Sequence, residues 1–188
     1  MSNPPHRRFA PADRLVAHPA HPPRRVAGVE CRLARAGGLL ELRYRIAAPA
    51  AALRLAPPAA PDRTDGLWQT TCLELFAAAD DGTPGYAEFN FAPSGQWAAY
   101  RFAAPRTGMA PLALPQAPAI GLAGDGDGDG VILSVRLAGL APGALRLGIT
   151  AVIEEADGTR SYWALAHRGD RPDFHDPDCF VRQLPPAD

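Results

Sequence analysis

Alternation of apolar and polar residues with a period of two runs through most of this chain. It predicts an all-β protein: a two-sheet antiparallel β-sandwich of jelly-roll type with Pro-rich connections. Two further observations support that class. Turn-forming pairs such as Gly37-Gly38, Asp81-Gly82, Ser94-Gly95 and Asp157-Gly158 punctuate the alternating runs. Nowhere do apolar residues hold a helical spacing for three turns.

The elements follow from that reading. In 39–46, Leu40, Leu42, Tyr44 and Ile46 share one face and Glu41, Arg43 and Arg45 the other. In 131–138, Val131, Leu133, Val135 and Leu137 alternate with Ser134 and Arg136, and 145–153 places Leu145, Leu147, Ile149, Ala151 and Ile153 on one side. Strands are also predicted at 26–33, 52–55, 71–77, 86–91, 97–102, 160–165 and 180–184. Leu40, Leu42, Tyr44, Leu133, Leu147 and Ile149 are the expected core. Residues 47–61 and 103–118 are Ala/Pro-rich connections. Residues 1–23 and 185–188 read as tails around a single domain at 24–184.

Composition removes several function classes. All 19 basic residues are arginine. Schiff-base chemistry, pyridoxal phosphate attachment and the P-loop lysine are therefore excluded. With a formal net charge of −1 there is no overall basic field for a phosphate backbone, so no nucleic-acid partner is expected. No apolar run approaches the roughly 20 residues that cross a bilayer, so no membrane partner is expected either. The Pro-interrupted start carries no apolar run of signal-peptide length, which leads to the expectation of a cytoplasmic protein. Cys31, Cys72 and Cys179 are too scattered for a metal motif and are expected to be reduced, with a Cys31–Cys72 contact left open.

The candidate chemistry is sparse. In Gly124–Gly130 (GDGDGDG), Asp125, Asp127 and Asp129 match the opening of an EF-hand loop. The closing bidentate acid would be Arg136, inside a strand, so the segment is expected to be a mobile, metal-free loop. None of the four serines lies in a nucleophile motif, and no nucleophile, base and orienting group can be assembled, so an enzyme is not expected. His167 and His175 stand eight residues apart with no recognised ligand spacing, so no metal site is assigned.

Aromatic placement is more informative. Trp97 and Tyr100, like Trp163 and Tyr162, fall on opposite faces of their strands, so one of each pair belongs to the core. Trp68 follows Asp65-Gly66-Leu67 in a loop entering a strand, where an indole is costly to expose without a ligand to cover it. Glu74 alternates with Leu73 and Leu75, Glu88 and Asn90 with Phe89 and Phe91, and Arg101 with Tyr100 and Phe102. One sheet face can thus carry Glu74, Glu88, Asn90 and Arg101 beside Trp68, either as a solvated surface or as a ligand site.

Taken in order, Leu67-Trp68, Cys72–Phe76, Tyr86–Gly95, and Phe174-His175-Asp176-Pro177 followed by Phe180 resemble the DOMON-like superfamily. Within it, the chain resembles bacterial proteins related to the family 9 carbohydrate-binding module, over about Arg24 to Leu184. The resemblance implies a β-sandwich that binds carbohydrate without catalysis and without a cofactor. In the sugar-binding relatives two aromatic rings clamp a terminal sugar, and a carboxylate six residues after the first binds its hydroxyls. Trp68 and Glu74 match those positions; the second ring falls on Phe174, before His175 and Asp176, where relatives usually carry tryptophan. The implied carbohydrate site is Trp68, Glu74, Glu88, Asn90, Arg101, Phe174, His175 and Asp176, and a protein partner is left open. Another branch binds b-type haem through Met and His, which here would be Met109 with His167 or His175. The third alternative is an interaction domain without a ligand.

Overall fold

The computed structural model describes residues 9–187, and within them twelve strands: β1 (Asp13–Ala17), β2 (Val29–Ala36), β3 (Leu39–Ile46), β4 (Cys72–Ala79), β5 (Tyr86–Phe91), β6 (Trp97–Phe102), β7 (Ala110–Pro111), β8 (Ala119–Gly124), β9 (Val131–Ala138), β10 (Leu145–Glu154), β11 (Arg160–Ala164) and β12 (Arg182–Leu184). The described residues form no α-helix, only single 3-10 turns at Ala50–Ala52, Leu67–Gln69 and Pro177–Cys179. No helix among them is therefore long and apolar enough to cross a membrane.

Every strand pairing is antiparallel, in the order β7-β6-β5-β4-β10-β11-β1-β2-β3-β9-β8, with β12 added beside β10. The chain is all-β and antiparallel, but its ladders run as one strongly curled sheet. Continuity depends on β1. Asp13, Arg14 and Leu15 pair with Cys31, Glu30 and Val29 of β2, while Val16 and Ala17 pair with Ala164 and Trp163 of β11. This strand lies inside the segment expected to be a tail. Its short apolar run was masked by neighbouring histidines and prolines, and pairing on both sides fixes it. Residues 1–8 of the expected tail lie outside the described residues.

The curl encloses one large core. Leu40, Leu42, Tyr44 and Leu133 from one arm meet Leu73, Leu75, Leu147 and Ile149 from the other, all buried. The six residues expected in the core are all found there.

Three strand boundaries moved for identifiable reasons. The strand expected from Val26 begins at Val29, because the amides of Arg24, Arg25 and Val26 donate to the buried Glu155 carboxylate instead of to a ladder. The strand expected at 52–55 reduces to one bridge, Leu53 to Glu155, beside the 3-10 turn that follows Pro49. The last strand starts at Arg182 because Pro177 opens a 3-10 turn capped by Asp176. The expected mobile loop at 125–129 is tied at its first residue: Arg45 donates to Asp125 Oδ2 through Nε at 3.1 Å and Nη2 at 2.6 Å. No cluster of three or more potential metal ligands exists among the described residues, and the three thiols are buried and unbridged.

Candidate functional site

The site forms because β4, β5, β6 and β10 are covered on both faces. Leu73, Leu75 and Ala77 of β4 face the main core, whereas Phe76 and Ala78 join a second cluster with Tyr86, Ala98, Tyr100, Phe102 and Phe180. Phe180 lies flat on this second face, its ring 5.6 Å from that of Phe76. Gly148 makes that approach possible, since a Cβ there would stand 2.7 Å from Phe180 Cδ1.

Between this covered patch and the loops above it lies a cavity of about 540 Å³. Glu74, Phe76, Glu88, Tyr100, Phe102, Val152 and Tyr162 line it from the strands. Three loops complete it. Gly66, left-handed at φ 78°, turns the chain into the 3-10 turn that presents Trp68, which is 55% exposed. The 103–109 connection brings Arg106 and Met109, and the 172–175 segment brings Phe174 and His175. Arg106 is the one non-glycine residue with positive φ among those described, at 55°, and its guanidinium reaches Asp173 at 2.8 Å, joining two of the loops.

The carboxyls are deeply placed. Glu74 is 3% exposed and Glu88 6%. Glu74 Oε2 accepts from Thr150 at 3.0 Å, and Glu88 Oε1 accepts from Asn90 at 2.7 Å. Burial, reinforced by the Glu88 charge, pushes the Glu74 carboxyl up to about 8 against the pull of Thr150. Burial also raises Glu88, with Asn90 and Arg106 pulling it back. His175 moves the other way, to about 4, through burial and the nearby Arg106 charge, so it is neutral near pH 7. The Arg106 amide donates to Tyr86 Oη at 3.3 Å, and Tyr86 Oη stands 2.7 Å from His175 Nδ1. The other ring nitrogen, Nε2, stands 3.8 Å from Glu88 Oε2. At the rim, Tyr100 donates to Asp65 at 2.6 Å, and Arg63 lies over the Tyr100 ring.

Of the residues expected at a carbohydrate site, Trp68, Glu74, Glu88, Phe174 and His175 line this one cavity. Asn90 lies behind the wall and orients Glu88. Asp176 is a cap, accepting from the Asp178 amide at 2.9 Å. Arg101 is a correction. Glu88 pairs directly with Tyr100, and Arg101 pairs with Ala87, so Arg101 is on the opposite face and exposed. Alternation fixes which residues of a strand share a face, but which face of β6 meets which face of β5 is a matter of register.

Asp65, Phe76, Tyr100, Phe102, Arg106 and Tyr162 were not anticipated. A usable signal existed for the aromatics. Strands carrying large rings on both faces, as Trp97 with Tyr100 and Trp163 with Tyr162, are strands covered on both sides. Arg106 had no such signal, because its Ala/Pro-rich connection has no periodicity.

A Met/His haem site does not fit this arrangement. Met109 is 61% exposed, and His175 Nε2 is directed at Glu88 rather than at an open coordination position. His167 is not in the cavity; its Nε2 meets the Val16 carbonyl at 2.9 Å.

No family model matches the chain, and no curated protein matches it. Solved structures do. A candidate carbohydrate-binding protein from Bacteroides uniformis superposes with a TM-score of 0.64 at 16% identity, over 90% of this chain and 84% of the other. A carbohydrate-binding module of family 9 from Caldicellulosiruptor kristjanssonii, in complex with glucose, gives a TM-score of 0.50 at 10% identity, over 83% of this chain and 74% of the other. At these identities the likeness establishes the fold.

Proposed function

We propose that this chain is a non-catalytic carbohydrate-binding domain that holds a terminal sugar in the cavity between Trp68, Phe174 and the two buried glutamates. The observation that carries the proposal is the meeting of an exposed indole and a second aromatic ring with Glu74 and Glu88 in one cavity. A sugar ring offers apolar C–H faces to aromatic walls and hydroxyls to fixed acceptors, and this lining provides both. Both structural neighbours are described as carbohydrate-binding, one with glucose bound, which supports the same reading. The DOMON-like assignment belongs to this proposal. It takes the two arms of the curled sheet as the two sheets of a jelly-roll-type sandwich, supported by the order of the motifs and by the core shared between the arms.

Isothermal titration of the full chain against a panel of mono- and disaccharides tests the function. Binding is expected at about 10 µM to 1 mM, since few contacts form and each displaces water. Trp68→Ala abolishes it and His167→Ala leaves it intact. No heat from any sugar at millimolar concentration overturns the proposal and favours an interaction domain without a ligand.

A further inference from the structure

The cavity has more acid than the protein itself neutralises. Asp65, Glu74 and Glu88 line it, and the single guanidinium in the lining, Arg106, is already paired with Asp173. His175 is neutral near pH 7. Asp65 is answered at the rim by Arg63 at 3.0 Å and by the Tyr100 hydroxyl. Among the described residues no cation answers Glu74. Its Oε2 accepts from Thr150, and no described residue donates to its Oε1, which opens to the cavity. Glu88 Oε2 has only the 3.8 Å approach of a neutral imidazole. The same cavity is lined by Trp68, Phe76, Tyr100, Phe102, Tyr162 and Phe174. Acceptors without a counter-charge inside an aromatic enclosure are the surroundings that favour an organic cation: ring faces attract it and carboxylates neutralise it.

We propose that the ligand of this cavity is an amino sugar, its protonated amine received by the Glu74 and Glu88 carboxyls and its ring held against the aromatic walls. This rests on the carbohydrate reading and names the sugar class within it. A neutral sugar can donate hydroxyls to the same oxygens but leaves Glu88 without a counter-charge and Glu74 protonated. An ammonium supplies one, so its arrival favours ionisation of both carboxyls. Glu74, which holds its proton near pH 7, then gives that proton to the buffer. The titratable groups beside it are Glu88 from β5, Cys72 from β4 and Tyr44 from β3, none of them a cation; Thr150 of β10 donates to it, and Arg106 and His175 line the same cavity, Arg106 paired with Asp173.

Titrations of the full chain with glucosamine, galactosamine and mannosamine, their neutral parent sugars and their N-acetyl forms test this, with n-propylamine as an amine without a sugar. At least one amino sugar is expected to bind about tenfold or more tighter than its parent and its N-acetyl form. Its binding heat should depend on buffer ionisation enthalpy with the sign of proton release. Glu74→Gln should lower amino-sugar affinity about tenfold more than it lowers neutral-sugar affinity, the neutral sugar losing only a hydroxyl's acceptor, and Glu88→Gln, read in parallel, should act in the same direction. Parent sugars that all bind as tightly as their amines overturn the inference and leave the carbohydrate reading standing. Binding of n-propylamine as tight as that of any amino sugar overturns the sugar half of both. No binding by any member overturns both together.

Discussion

The Tyr44 hydroxyl donates a 2.7 Å hydrogen bond across the core to the main-chain carbonyl of Glu74. Tyr44 sits on β3 and Glu74 on β4, from opposite arms of the curled sheet, and neither is more than 3% exposed. One bond therefore ties the curl of the sheet to the strand that holds the buried carboxyl. Tyr44→Phe keeps the ring and removes the bond. It should cost about 1 kcal/mol in urea denaturation, with little change in the m-value.

Glu155 secures a different joint. Fully buried, its carboxylate accepts from three consecutive amides, those of Arg24, Arg25 and Val26, at 2.8 to 3.3 Å. These are charge-assisted bonds that fix the segment between β1 and β2. Glu155→Ala leaves three donors without their acceptor and should destabilise by about 2–4 kcal/mol, read as a lowered thermal midpoint.

Glu74 makes stability depend on pH in the direction opposite to an ordinary ion-paired acid. Its folded-state value is raised from 4.5 to about 8, so the folded protein holds a proton that the unfolded chain gives up. Its contribution is most favourable below about pH 4.5 and is lost as pH rises through about 8. Glu74→Gln, neutral at all pH, should therefore gain stability relative to the parent as pH increases across that window. Denaturation curves for both proteins at several pH values check it. A difference that is flat with pH would show that Glu74 is ionised throughout.

His175 works with the opposite sign. Lowered to about 4 from 6.5, it keeps its contribution above about pH 6.5 and loses it progressively as pH falls toward 4. Its ring packs edge-on to Phe76 and Phe102, so protonation should loosen the second aromatic cluster. NMR titration of the His175 ring should give a midpoint well below that of an exposed histidine.

Gly148→Ala should disturb the site from beneath. The added methyl meets Phe180 at 2.7 Å and Phe76 Cβ at 3.3 Å, both in the layer under His175. A loss of about 1–3 kcal/mol is expected from overpacking, together with weakened sugar binding. Arg101→Ala, on the far face, should change neither binding nor stability by a measurable amount.

Much of this protein is determined locally. Local pattern set β3, β5, β6 and β9 to the residue, and in β3 and β9, where one face is buried and the other is not, alternation is required whatever the partners. The same alternation put Glu74 and Glu88 on the face away from the main core, and the loop position of Trp68 marked it as a residue needing a cover. Tertiary structure decided what local pattern cannot carry. Pairing register turned Tyr100, and not Arg101, toward Glu88, since a shift of one residue reverses every side chain of a strand and leaves its sequence pattern unchanged. Coverage by Phe180 and three loops turned an apparently polar face into a buried one, and that burial pushes the Glu74 carboxyl up. The arrival of Arg106 from an aperiodic Ala/Pro-rich connection depends on a left-handed turn and on Asp173, 67 residues away in the chain, and no local signal specifies so distant a meeting.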